Sequence, residues 1–173
     1  MQRGSCAAQA AAHFRLTLVM KREPHGGPIY CKMETPGKYA QIKTVKLSAG
    51  CTYRFDVSFR PPQVLQQMTI GGKDVEAVER ARDRNASAYS AYHSTKDKEP
   101  SKRGEREELP IYMCVLDSGE LIIRLQIKYY RADDQSHCEW GSRLHCIELD
   151  CSSVEGSLVM VDREMYQKIN STT

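Results

Sequence analysis

His137-Cys138-Glu139-Trp140 and His145-Cys146 are the segments whose residue types could do chemistry. A thiol beside an imidazole can act as a Cys–His nucleophile pair, and clustered His, Cys and Glu can hold zinc. The spacing argues against both. Neighbours in an extended segment project to opposite faces, so neither adjacent His-Cys pair can meet. A dyad or zinc site assembled across strands is the alternative. The seven cysteines, Cys6, Cys31, Cys51, Cys114, Cys138, Cys146 and Cys151, include no Cys-x-x-Cys pair, the common structural zinc spacing. There is no Gly-x-Ser-x-Gly elbow, no His-Glu-x-x-His and no glycine-rich phosphate loop opening a helix. Gly26-Gly27 and Gly71-Gly72 lie between strand patterns, where hairpin turns account for them. The expectation is a protein that is not an enzyme and has no metal or cofactor.

The elements that would position these residues read as strands. Leu121, Ile123, Leu125, Ile127 and Tyr129 fall on one face of a long strand, with Arg124, Gln126, Lys128 and Tyr130 on the other, so one side is expected in the core and the other in water. Phe14 to Met20 and Tyr53 to Phe59 alternate in the same way, and Pro61-Pro62 stops the second run. Further strands are expected over 29–33, 41–47, 65–70, 74–78, 88–93, 111–116, 144–151 and 157–161, with turns at Pro36-Gly37 and Asp117-Ser118-Gly119. About ten short strands at this spacing predict an all-β, single-domain antiparallel sandwich or closed barrel over 13–169. Asp162 is expected to cap a short helical turn through Glu164–Lys168. Residues 1–12 read as a disordered tail and 170–173 as a short one. Thr95–Glu108 carries five basic and five acidic residues and reads as a mobile, solvated loop.

Composition narrows the class. A chain of 173 residues with a formal net charge of +3 is one domain long and lacks the concentrated basic face of a nucleic-acid binder. No apolar run approaches the roughly 20 residues that span a bilayer. The start has no apolar secretory core and no glycine at position 2 for myristoylation. An odd number of scattered cysteines is a poor disulfide framework, so free, bland thiols in a soluble cytoplasmic monomer are expected.

Several segments taken together resemble the cannabinoid-receptor-interacting protein family. They include Leu125–Tyr130 followed by His137–Ser142, Gly27–Lys32, Lys43–Leu47 and Met68–Gly72. Gly104–Arg106, Ile147–Cys151 and Ser157–Val161 follow in order, and the likeness runs from about His13 to Tyr166. It departs from vertebrate members at the N-terminal tail and across 77–100. The resemblance implies an intracellular adaptor that binds the cytoplasmic C-terminal tail of a G-protein-coupled receptor and modulates its signalling at the inner face of the plasma membrane. G-protein subunits are a further implied partner. It also implies a sandwich like that of Rho GDP-dissociation inhibitors. That analogy opens an alternative: a lipid or lipidated-protein chaperone holding an acyl or prenyl chain among Phe14, Leu16, Phe55, Val57, Ile123, Leu125 and Ile127. An interior apolar cavity would mark the chaperone and a polar-rimmed surface groove the adaptor.

A disordered tail binds by strand addition or in a groove lined by tyrosine and arginine. Arg84, Tyr89 and Tyr92 on a tyrosine-rich strand are the first candidates, with Arg84 and Tyr89 expected on the solvent side. Arg103 and Arg106 of the charged loop come next. Trp140 is a core or rim aromatic, or a binding hot spot.

Overall fold

The structure, a computed structural model, describes residues 12–169. The expected tails therefore lie outside the described residues, except that Ala12 already opens the first strand. The strands are β1 Ala12–Arg22, β2 Ile29–Met33, β3 Lys43–Ser48, β4 Thr52–Arg60, β5 Leu65–Ile70, β6 Lys73–Val75 and β7 Val78–Arg82. They continue as β8 Ser87–Ser94, β9 Glu107–Val115, β10 Gly119–Tyr130, β11 Ser142–Val154 and β12 Leu158–Lys168, with one helical turn, α1, at Gln135–Cys138.

All twelve strands join one sheet, in the order β6-β5-β9-β10-β3-β2-β11-β1-β4-β8-β7, with β12 paired to both β10 and β11. Strands β10, β3, β2, β11 and β12 thereby close a five-strand ring. Two wings leave it, β9-β5-β6 on one side and β1-β4-β8-β7 on the other, and they share a single core. Phe14, Phe59 and Tyr89 of one wing belong to the same buried cluster as Met68, Ile111 and Met113 of the other. The alternating strands bury as their patterns require. Tyr53, Phe55, Val57 and Phe59 are at most 1% exposed, and Phe14 meets Phe59, and Phe59 meets Tyr89, edge to face.

The all-β barrel-and-sandwich class is the one expected, with three corrections of detail. Two pairings are parallel, β3 with β10 and β12 with β10. Strands so far apart in sequence have no hairpin to impose an antiparallel direction. The helical turn expected after Asp162 is instead the body of β12, which pairs with β11 from Leu144↔Lys168 to Val154↔Leu158. The capping signal is local. The pairing edge of a 13-residue strand supplies one backbone partner after another and outweighs it.

The third correction concerns the face of β10 expected to be wet. Arg124 is exposed and Lys128 half-buried, but Gln126 and Tyr130 are 6% and 8% exposed. On β3, Thr44, Lys46 and Ser48 are buried as fully as Val45 and Leu47. An outer layer of connecting chain covers this part of the ring. Gln41 N–H donates to Gln126 Oε1 at 3.0 Å, and Gln126 Nε2 donates to Gln41 O and Thr44 Oγ1 at 2.8 and 2.9 Å. The charged segment 95–106 belongs to the same layer. Ser101 N–H donates to Tyr129 O at 2.8 Å, and its hydroxyl accepts from Tyr129 N–H at 2.9 Å.

His93 on β8 is 4% exposed, edge-on to Phe55, and its Nε2 has no partner. Burial holds its pKa below the ordinary 6.5, helped by nearby Lys73. The neutral ring therefore belongs to the fold. As pH drops below 6.5 the unfolded chain takes up this proton before the folded one does, so stability falls toward the depressed folded value. His93→Phe should flatten the stability–pH curve just below 6.5. Chemical denaturation across pH 7.5 to 5 checks this, and an unaltered slope would assign the acid sensitivity to other groups.

Candidate functional site

The outer layer builds a groove across the covered face of β3 and β10. Its volume is about 680 Å³, and its lining includes Lys32, Lys46, Arg103, Lys128, Tyr130, Arg131 and Trp140. Three elements make its walls: the 100–103 segment, the end of β10, and α1 with the residues after it.

Lys46 stands at the centre. Its residue is 4% exposed, yet its ammonium donates to two backbone carbonyls, His137 O at 2.9 Å and Trp140 O at 2.5 Å. The same nitrogen lies 5.6 Å from the Tyr130 ring centroid and 5.4 Å from that of Trp140, and Lys128 Nζ lies 5.1 Å from Tyr130. Lysine on aromatic faces gains cation–π attraction without losing its net charge. Burial first, with neighbouring Lys32 and Lys128, pushes the Lys46 ammonium below the usual lysine range. Burial followed by Arg106 and Lys32 does the same to Lys128. Among the described residues Lys46, Lys128 and Arg103 have no carboxylate within ion-pair distance, while Arg131 has Asp133 at 3.1 Å and Lys32 has Glu34 only at 4.0 Å. The groove is thus a surplus of positive charge over an aromatic floor, and an anion lying in it would be attracted from several sides.

Local chemistry sets the wall carrying Trp140. Asp134 caps α1 by accepting from His137 N–H at 3.3 Å and from the His137 ring at 2.9 Å. Gly141 then brings the chain against β2. Its φ is +115°, and a Cβ there would meet Cys31 O at 2.8 Å, so only glycine fits. Trp140 is left 72% exposed on the rim. His137 and Cys138 diverge, the first to solvent and the second to a contact with Ser48 Oγ at 3.4 Å. Burial raises the Cys138 thiol above its ordinary pKa, so thiolate chemistry is disfavoured.

The structure separates the sequence-derived candidates. Arg103 and Trp140 line the groove. Arg106 sits behind it with its side chain only 6% exposed, its Nε 2.6 Å from Glu34 Oε2. Arg84 and Tyr92 are exposed on the far wing. Tyr89, expected on the solvent side, is 4% exposed. Its hydroxyl donates to Gln63 O at 3.1 Å and accepts from Arg82 at 2.9 Å. Strand β8 is flanked by both β4 and β7, so it offers no free edge, and its alternation places Tyr89 inward and Tyr92 outward. Sequence reasoning missed Lys32, Lys46 and Lys128. The only trace of them was their polar position on alternating strands.

Residues 10–166 match the family model described as CB1 cannabinoid receptor-interacting protein 1. The chain belongs to this family. Proteins of that name from Bos taurus and Homo sapiens are each 30% identical to it over 156 residues, covering 88% of this chain and 94% of the relative. The Rattus norvegicus relative is 29% identical over the same length. The family match encloses the five-strand ring up to Tyr166, both wings and every residue named in the groove. The family is named for a receptor interaction rather than for a reaction. No helix among the described residues is long and apolar enough to cross a membrane. The seven side chains considered for an acyl chain, Phe14 to Ile127, are all 4% exposed or less and packed in the common core.

Proposed function

We propose that this chain is a non-enzymatic cytoplasmic adaptor that binds the C-terminal tail of a cannabinoid-type G-protein-coupled receptor and modulates its signalling. It meets the inner face of the plasma membrane through that receptor, and G-protein subunits are further partners. The observation that carries the reading is the basic groove of Lys46, Lys128 and Arg103, which lack carboxylate partners among the described residues, beside exposed Trp140. Relatives named for interaction with the CB1 cannabinoid receptor support the receptor class.

An extended tail would lie along the groove with acidic or phosphorylated side chains facing Lys128 and Arg103 and apolar ones against Trp140. Each charge-assisted contact is worth at most about 1.5–3 kcal/mol, and less at the wet rim. Lys128→Glu with Arg103→Glu should therefore weaken a labelled receptor-tail peptide by about tenfold or more, since about 1.4 kcal/mol is one decade. Raising the salt should weaken the wild type by a smaller factor in the same direction. Arg84→Ala with Tyr92→Ala, on the far wing, should leave affinity unchanged. Wild-type affinity in the groove variant, or a loss in the far-wing variant, would move the site.

A further inference from the structure

We propose that the cleft on the other side of α1 captures the C-terminal carboxylate of the bound tail, with Arg22 as the residue that binds it. This rests on the tail-binding reading above. The cleft measures about 590 Å³, and Arg22, His25, Cys51, Lys96 and Glu139 are among its lining residues.

Arg22 is unusual among the enclosed arginines. Its side chain is 22% exposed, and its two terminal nitrogens go to uncharged acceptors, Ser48 Oγ and Cys51 Sγ, each at 3.1 Å. Its nearest carboxylate, Glu139, stands at 3.9 Å, a distance of attraction rather than hydrogen bonding. Arg54 and Arg106, in comparison, hold carboxylates at 3.1 and 2.6 Å. The other acid on the lining, Glu23, is taken by Arg54 at 3.3 Å. Ser48 and Cys51 thus fix the guanidinium in position while leaving its charge nearly unmatched. A planar guanidinium held this way is preorganised for a carboxylate, which it grips with two parallel hydrogen bonds. Exposed Lys96 adds a second positive charge at the cleft.

The cleft borders the groove, and the terminus of a tail lying there is the carboxylate we assign to it. Asp134, His137 and Trp140 face the groove, whereas Gln135 and Glu139 face the Arg22 cleft, so α1 and its flanking residues border both. A helical turn is about 10–12 Å across, and an extended chain covers that in about three to four residues at roughly 3.3 Å each. A tail anchored by its terminus at Arg22 therefore places its side chains about three to five residues upstream beside Lys128 and Lys46.

The experiment uses the full chain and two synthetic receptor-tail peptides that end at the receptor's own last residue, one with a free C-terminal acid and one with an amide. Wild type should bind the acid about tenfold or more tightly than the amide. Arg22→Gln should erase that difference by weakening only the acid peptide. Equal affinity of acid and amide for wild type overturns the capture while leaving tail binding in the groove intact. An acid preference that persists in folded Arg22→Gln overturns the assignment to Arg22. Failure of wild type to bind either peptide overturns the tail reading and this inference with it. Should Arg22→Gln not fold, Lys96→Glu gives the second variant: a reduced acid preference supports the cleft, and an unchanged one overturns it.

Discussion

Arg106→Ala is expected to destabilise the fold by about 3–5 kcal/mol, the cost of leaving one member of a buried ion pair alone. Glu34 and Arg106 have side chains 3% and 6% exposed, 2.6 Å apart. Thr44 donates to the same carboxylate at 2.6 Å, and the Arg106 guanidinium lies 4.5 Å from the Tyr39 ring centroid. Tyr39 in turn donates to Gly104 O at 3.0 Å, so the pair fastens the 34–42 and 101–106 segments over β3 and β10. Burial alone would raise the Glu34 pKa. The hydrogen bonds from Arg106 and Thr44 outweigh it and hold the carboxyl below its ordinary 4.5. A lowered carboxyl pKa contributes stability that is full above 4.5 and is lost as pH falls through the folded value. The gap between wild type and Arg106→Ala should accordingly be widest at neutral pH and narrow in acid, where Glu34 takes up a proton. Glu34→Gln with Arg106→Met should cost less than Arg106→Ala, because no bare charge remains. Urea denaturation at pH 7 and pH 4 measures both. A loss at pH 7 no larger than that of exposed Arg124→Ala would show that the pair fastens nothing.

Leu125→Ala is expected to cost about 2–5 kcal/mol, the transfer energy of the lost side chain plus the cavity it leaves. Leu125 is fully buried in the middle of β10, and its register partner on β9, Leu109, is 1% exposed. The surrounding core side chains relax only partly around the lost atoms, so part of the cavity remains. Lys128→Ala, on the opposite face of the same strand, should stay within about ±0.5 kcal/mol, since removing one of several crowded cations offsets the packing that is lost. The same Lys128 variant should lose tail affinity, so stability and binding should separate on one strand. Equal melting of the two variants would mean that the faces of β10 had been misassigned.

These residues also mark where sequence reading stops. Period-two alternation in Phe14–Met20, Tyr53–Phe59 and Leu121–Tyr129 determined the strands, their inward faces and the all-β class, because burying one face requires that pattern. The same extended-chain argument does not apply to His137 and Cys138, which lie in the helical turn α1, and it is the turn that sends one to solvent and the other inward. Alternation distinguishes one face from the other, but it does not say what lies over the outer one. Gln126 and Tyr130 read as solvated, and only the tertiary structure lays the 34–42, 95–106 and 131–141 segments over them and over Thr44 and Lys46. Glu34 and Arg106 are 72 residues apart, and no local signal pairs them. The conversion of the expected helical turn into β12 has the same origin, since β11 supplies backbone partners that a cap residue cannot anticipate. The groove likewise exists only where β3, β10 and the turn after Asp134 converge. Its charge was present in the sequence as single lysines, and the fold concentrates it by closing a ring between strands far apart in the chain.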